Sequence, residues 1–147
     1  MRLTVQSDYA LRAMMYLAAR TEQLATVAGI SGHYGVSRNH MTKVLHHLVR
    51  GGFVRSVRGR SGGVCLAAAA DQITVGQVVR YLEADGALVE CFRSDGGDCL
   101  LSPDCRLKSV LAEAVDGFYA VLDRYSIQSL LSEKGVLLKL LADGEKR

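Results

Sequence analysis

Nowhere does the chain hold a run of about 18 apolar residues, and its first helix-like stretch is interrupted by Arg12 and stops near Arg20 without a signal-peptide arrangement. A membrane span or an exported protein is therefore not expected, and the protein is placed in the cytoplasm. Proline is almost missing, the single one being Pro103. No C-x-x-C pair is present, which removes the usual thiol-oxidoreductase pattern, and no G-K-[ST] follows the glycines, which removes a phosphate loop. No acid–base pair near the cysteines and no substrate-cleft signature point to an enzyme. Internal repeats and low-complexity tracts are absent too.

What is present is ordinary for a soluble globular chain: 147 residues, 49% hydrophobic and 22% charged. The net charge of +3 conceals a division. Residues 1–73 carry nine Lys/Arg and three acids, giving +6, whereas residues 74–147 carry nine and twelve, giving −3. The basic half is the candidate nucleic-acid surface.

That half reads as helix, helix-turn-helix and hairpin. Ser7 or Asp8 is placed to cap a helix through YALRAMMYLAAR, whose Tyr9, Ala10, Ala13, Met14, Leu17 and Ala18 form one apolar stripe. Capping is the simpler role for Asp8. Residues Ala25 to Tyr34 predict a short helix despite Gly29 and Gly32, Gly35-Val36 a turn, and Ser37 the cap of a helix over SRNHMTKVLHHLVR that ends at Gly51-Gly52. Its inward residues are Met41, Val44, Leu45 and Leu48, while Arg38, Asn39, His40 and Lys43 lie near its exposed N-terminal part. The stretch FVRSVRGRSGGVCLA predicts a two-stranded hairpin with Arg58, Gly59, Arg60, Ser61 and Gly62 at its tip. A helix-turn-helix followed by a glycine-rich basic hairpin is a winged helix, with the recognition helix for the major groove and wing arginines for phosphates or the minor groove. His46 and His47 read as half-buried helix residues, Cys65 as a structural strand residue, and Arg50 and Arg55 as solvated charges.

Three of the four cysteines fall in ECFRSDGGDCLLSPDCRLK, spaced Cys91-x7-Cys99-x5-Cys105. Gly96, Gly97, Ser102 and Pro103 interrupt helix and let distant thiols turn toward one point. Converging thiolates suit an iron–sulfur cluster or zinc. Simpler roles are small hydrophobes or a disulfide, although a reducing cytoplasm and the neighbouring Asp95, Asp98 and Asp104 argue against both. Thr74 and Gln77 form a capping-box pattern for a helix through Leu82. From about Arg106 to Tyr125 the apolar residues repeat at helical spacing over about 30 Å, a stripe long enough for a dimer helix or for packing within the chain. Ser126 begins a last short helix with Ile127, Leu130 and Leu131, and Asp143 to Arg147 are expected to fray.

The expected architecture is mainly α. It consists of a winged-helix DNA-binding domain (1–73), a connecting helix with the cysteine loop (74–105), and a dimerisation helix with a C-terminal helix and tail (106–147).

Four segments carry a family resemblance over nearly the whole chain: MRLTVQSDYALRAMMYLA, YGVSRNHMTKVLHHLVRGGFV, VRGRSGGVCLA, and the cysteine loop running into CRLK. The chain resembles the Rrf-two family of bacterial winged-helix regulators. Through YGVSRNHM, CRLK and Asp8 it is most similar to the family's nitric-oxide-sensing repressors. That resemblance implies a homodimer on an operator in double-stranded DNA, with nitric oxide as effector. It also implies an iron–sulfur cluster, four-iron rather than two-iron, held by Cys91, Cys99, Cys105 and, from the other subunit, Asp8. For DNA it implies Ser37, Arg38, Asn39, His40, Lys43, Arg58, Arg60, Ser61 and Gly62. The branch that uses a histidine after the third cysteine is disfavoured, because no histidine follows His47. The seven-residue first gap is similar to an iron-responsive branch, so iron or cluster status stands as the alternative input. A zinc or thiol-switch winged helix is the other.

Overall fold

The computed structural model describes residues 3–21, 23–84, 86–101 and 104–131. Ser102, Pro103 and the tail Asp143 to Arg147 lie outside them. Among the described residues the architecture is five α-helices and one two-stranded antiparallel sheet.

Helix α1 spans Val5–Ala18, and its cap is Thr4, whose hydroxyl accepts the Ser7 amide at 3.2 Å. The helix thus starts earlier than a cap at Ser7 or Asp8 would allow. Thr4 is the last residue in extended backbone, so Ser7 falls inside the helix and is fully buried, and Asp8 lies in the first turn, where the helix dipole favours a negative charge. Ala10, Ala13 and Met14 are 0% exposed on the buried face.

Helix α2 spans Val27–Tyr34 and is capped by Thr26, which accepts the Gly29 amide at 3.0 Å. Ala25, expected inside it, instead exchanges both backbone bonds with Val64, at 2.9 and 2.8 Å. The Ala25 amide and carbonyl are therefore already committed before the helix begins. Gly35 closes α2 with φ +63°, a conformation for which its lack of Cβ is suited. Tyr34 donates its hydroxyl to the Arg12 carbonyl at 2.9 Å, and burial pushes that phenol up to about 12. It remains an uncharged brace between α2 and α1.

Helix α3, Arg38–Arg50, is capped by Ser37 through the His40 amide at 3.2 Å and buries the expected Met41, Val44, Leu45 and Leu48. Strands β1 (Val54–Val57) and β2 (Gly63–Leu66) pair antiparallel from Val54↔Leu66 to Val57↔Gly63. A Cβ on Gly63 would stand 2.6 Å from the Ala25 carbonyl, so the close approach of β2 to Ala25 requires glycine. Thr74 and Gln77 make the expected capping box for α4, Val75–Leu82.

Helix α5, Arg106–Asp123, packs against α4 through an ion pair in which Arg80 meets both Asp123 oxygens, at 3.0 and 2.6 Å. Arg80 also lies over the Tyr119 ring, 4.5 Å from its centroid. The Arg80 hydrogen bonds hold the Asp123 carboxyl below the usual carboxylate range. After α5 the described residues do not begin the expected helix at Ser126. Ser126 bridges Thr74, the Ile127 amide donates to Ile73 at 2.8 Å, and among the described residues that follow only Ser129–Leu131 coils, as a 3-10 turn. Pairing with residues 70–75 satisfies the backbone here and drives Ile127 to 0% exposure.

The α4–α5 contact depends on Gly76, where a Cβ would stand 1.9 Å from Asp123 Oδ1 and 3.1 Å from the Asp123 amide nitrogen. Gly76→Ala should therefore destabilise the protein by ~1–3 kcal/mol in denaturant unfolding, the range for overpacking a close contact. An unchanged midpoint would mean that α4 and α5 are not pressed together there.

Candidate nucleic-acid interface and metal centre

The basic half presents its charges as the sequence suggests. Arg38, Asn39, His40 and Lys43 are exposed on α3, as are Arg58, Arg60 and Ser61 at the hairpin tip, with Gly62 half-buried. Ser37 is exposed but engaged as the cap of α3, so its hydroxyl serves its own helix amide. Gly62 cannot be replaced freely: a Cβ there would come within 2.4 Å of the Val57 carbonyl, and the Gly62 amide closes the tip on Gly59 at 3.0 Å. The tip is thus a tight turn that projects arginines on either side of Gly59. His46 and His47 are exposed rather than half-buried, because only Met41, Val44, Leu45 and Leu48 fill the inward stripe of α3. With Arg50 and Thr42 they extend the polar face beyond the residues expected. Arg55 has a partner, donating Nε–H to Cys65 Sγ at 3.1 Å, so neither residue is only what its position in a strand suggests.

The cysteine loop leaves α4 through a turn in which the Gly86 amide donates to the Glu83 carbonyl at 2.9 Å. Cys91 lies in the 3-10 turn Glu90–Phe92, Cys99 in the following loop, and Cys105 at the N-cap of α5. Glu90 organises the interval, its carboxylate accepting the Asp98 amide at 3.1 Å, while Asp95 accepts the Gly97 amide at 3.1 Å and pairs with Arg93 at 2.6 Å. Gly96 and Gly97 both adopt positive φ, +78° and +60°, which turns the chain between Cys91 and Cys99. Cys91, Cys99 and Cys105 form no disulfide and are half-buried. They are not gathered: among the described residues no group of three or more His, Cys, Asp or Glu side chains is close enough to hold a metal ion. The donor chemistry nevertheless fits an iron–sulfur cluster, with three free soft thiols on one glycine-turned segment. A cleft of about 620 Å³ lies between α4, α5 and the loop, lined in part by Arg80, Phe92, Arg93 and Tyr119.

Asp8 stands apart from the loop's own contacts. Its carboxylate pairs with Arg12, one turn on, at 2.8 Å, and both side chains are about half exposed. Glu83, which no motif singles out, is the acid that joins the two halves. Its Oε1 accepts from the Thr4 amide and the Thr4 hydroxyl, each at 2.8 Å, and from the Ser7 hydroxyl. Burial acts to raise the Glu83 pKa, but the Ser7 and Thr4 donors outweigh it and hold the carboxyl below its usual range.

A family model described as "Rrf2: Iron-dependent Transcriptional regulator" matches residues 3–133. The HTH-type transcriptional regulator NsrR of Bacillus subtilis (strain 168) is 42% identical over 142 residues, which is 96% of this chain and 97% of that protein. Its namesake from Bacillus licheniformis is 39% identical over 143 residues, 97% of this chain and all of that protein. Among solved structures, T. potens IscR superposes with a TM-score of 0.74 at 24% identity, covering 93% of this chain and 90% of that one. This likeness shows the winged-helix fold.

The Glu83 contact carries a pH signature. A carboxyl with a depressed folded pKa contributes stability above its unfolded pKa and loses it as the pH falls through the folded value. The melting temperature of the wild type should therefore fall more steeply than that of Glu83→Gln on acidification through and below the ordinary glutamate range. Parallel curves would exclude an ionised Glu83 as the acceptor.

Proposed function

The chain belongs to the Rrf2 family of transcriptional regulators, and from that premise we propose that it is a dimeric repressor that senses nitric oxide through an iron–sulfur cluster. The observation that carries this reading is the joining of three cysteines free of disulfides to a module with an exposed basic helix. Cys91, Cys99, Cys105 and, across the dimer, Asp8 would hold the cluster, four-iron rather than two-iron. Bound there, it would supply iron that reacts with nitric oxide.

Three thiols leave one iron position to a harder, more exchangeable donor. Asp8 suits that position because its present partner costs little to give up: a half-exposed i,i+4 ion pair is worth ~0.3–0.5 kcal/mol. With Asp8 engaged across the dimer, α1 of one subunit is tied to the loop of the other. With Asp8 back on Arg12 that tie is gone, and α1, which packs on α3, no longer holds the two recognition helices at the spacing a two-fold operator requires.

Dimerisation is supported by α5, none of whose residues is buried, with Leu107 63% and Val110 53% exposed. Such apolar exposure is the ordinary mark of an interface. The specific nitric-oxide input is supported by the similarity of YGVSRNHM, CRLK and Asp8 to the nitric-oxide-sensing branch. The seven-residue gap between Cys91 and Cys99 supports the second reading, in which iron or cluster status is sensed.

Anaerobic titration with nitric oxide, followed by absorbance and DNA mobility together, tests the proposal. Both signals should change at the same equivalents, and Asp8→Ala should alter the cluster spectrum and the response. Release of DNA by iron chelation but not by nitric oxide would replace this reading with the iron-responsive one. On DNA, Arg38→Ala should lose ~1–3 kcal/mol of discrimination between matched and scrambled operators if Arg38 reads a base. Arg58→Ala should weaken binding to both and lower the salt slope by about one if it contacts phosphate. Equal losses on both sequences for Arg38→Ala would reassign it to the backbone.

A further inference from the structure

We propose that Glu83 is a positioning residue for Asp8, holding the first turn of α1 against the root of the cysteine loop. The inference rests on the reading of Asp8 as a ligand and adds a residue to it.

Glu83 ends α4, its amide donating to the Val79 carbonyl at 2.9 Å. A carboxylate at the C-terminus of a helix has the wrong sign for that helix's dipole, whereas at the N-terminus of another it has the right one. The side chain resolves this by leaving α4 and reaching back 79 positions in sequence to the Thr4 amide and hydroxyl and 76 to the buried Ser7 hydroxyl. Glu83 therefore supplies an acceptor at the start of α1, beyond what the Thr4 cap provides.

Thr4 links the two acids. Its amide and hydroxyl donate to Glu83, and its carbonyl accepts the Asp8 amide at 3.1 Å. The Arg12 partner of Asp8 is on the same helix, so Asp8 moves with the first turn of α1. At its other end Glu83 accepts the Gly86 amide on its backbone carbonyl, at the point where the chain departs for Cys91. A path of hydrogen bonds thus runs from loop root through Glu83 and Thr4 to Asp8. If Asp8 serves the partner's thiols, this path lies between one subunit's cysteine loop and the ligand it lends to the other, and it couples the two sites.

Hydrogen exchange of the α1 amides in metal-free protein reads the tether without any cluster. Glu83→Ala should accelerate exchange of the first-turn amides by roughly tenfold or more, the scale of a lost charge-assisted hydrogen bond. Glu83→Gln keeps an acceptor oxygen, so its acceleration should be clearly smaller, and it carries the test should the alanine variant not fold. In anaerobically loaded protein, Glu83→Ala should shift the visible circular-dichroism bands toward those of Asp8→Ala, with Glu83→Gln restoring them toward wild type. Unchanged exchange in Glu83→Ala and Glu83→Gln overturns the tether. Faster exchange with wild-type bands, while Asp8→Ala shifts them, overturns the positioning role alone. Bands unmoved by Asp8→Ala overturn Asp8 as a ligand and with it the role of Glu83 toward that ligand.

Discussion

The burial of one face of α1 is the constraint on which the other elements depend. Ala10 and Ala13 are small enough to let neighbouring helices close on the backbone, and Met14 and Leu17 fill the space between them. Helices α3 and α4, strand β2 and the turn after α5 all pack on this one helix. The opposite face must then carry whatever α1 exposes, and there Asp8 and Arg12 pair in solvent. The first turn of α1 therefore belongs to the same helix whose buried face packs against α3.

Local chemistry made much of this legible. Ser37 and the Thr74–Gln77 box marked two helix starts, the apolar spacing of Met41, Val44, Leu45 and Leu48 marked the inward face of α3, and the glycines after Arg58 marked the hairpin tip. These signals are all contained within a few residues. What escaped was long-range. Ala25 looks like the first residue of a helix until Val64 takes its backbone groups, and Ser126 looks like another cap until it meets Thr74. Thr4, Ser7 and Asp8 are all residue types that cap, and only the fold distinguishes them, through the extended backbone of Thr4 and the burial of Ser7.

The cysteine loop divides in the same way. Its irregular path was legible from glycine and from the spacing of the thiols, and Gly96 and Gly97 do turn the chain. The contact of Glu83 with Thr4 was not, because a single glutamate at a helix end has no pattern of its own. Convergence of the thiols is likewise a property that spacing permits without enforcing. The hydrogen bonds of Glu90 and Asp95 shape the segment locally, and none of them draws Cys91 toward Cys105.

The bridge between Ala25 and Val64 has a mechanical consequence for the wing. A free two-stranded ribbon can swing about its base, but this one is stitched to the segment between the first two helices, and its other strand is joined to the end of α3 through the Phe53 amide on the Leu48 carbonyl at 3.0 Å. Helix and wing are thus joined at both strands, like two jaws fixed to one frame. If a signal acts on this module as proposed, these bonds favour moving helix and wing together over opening one against the other.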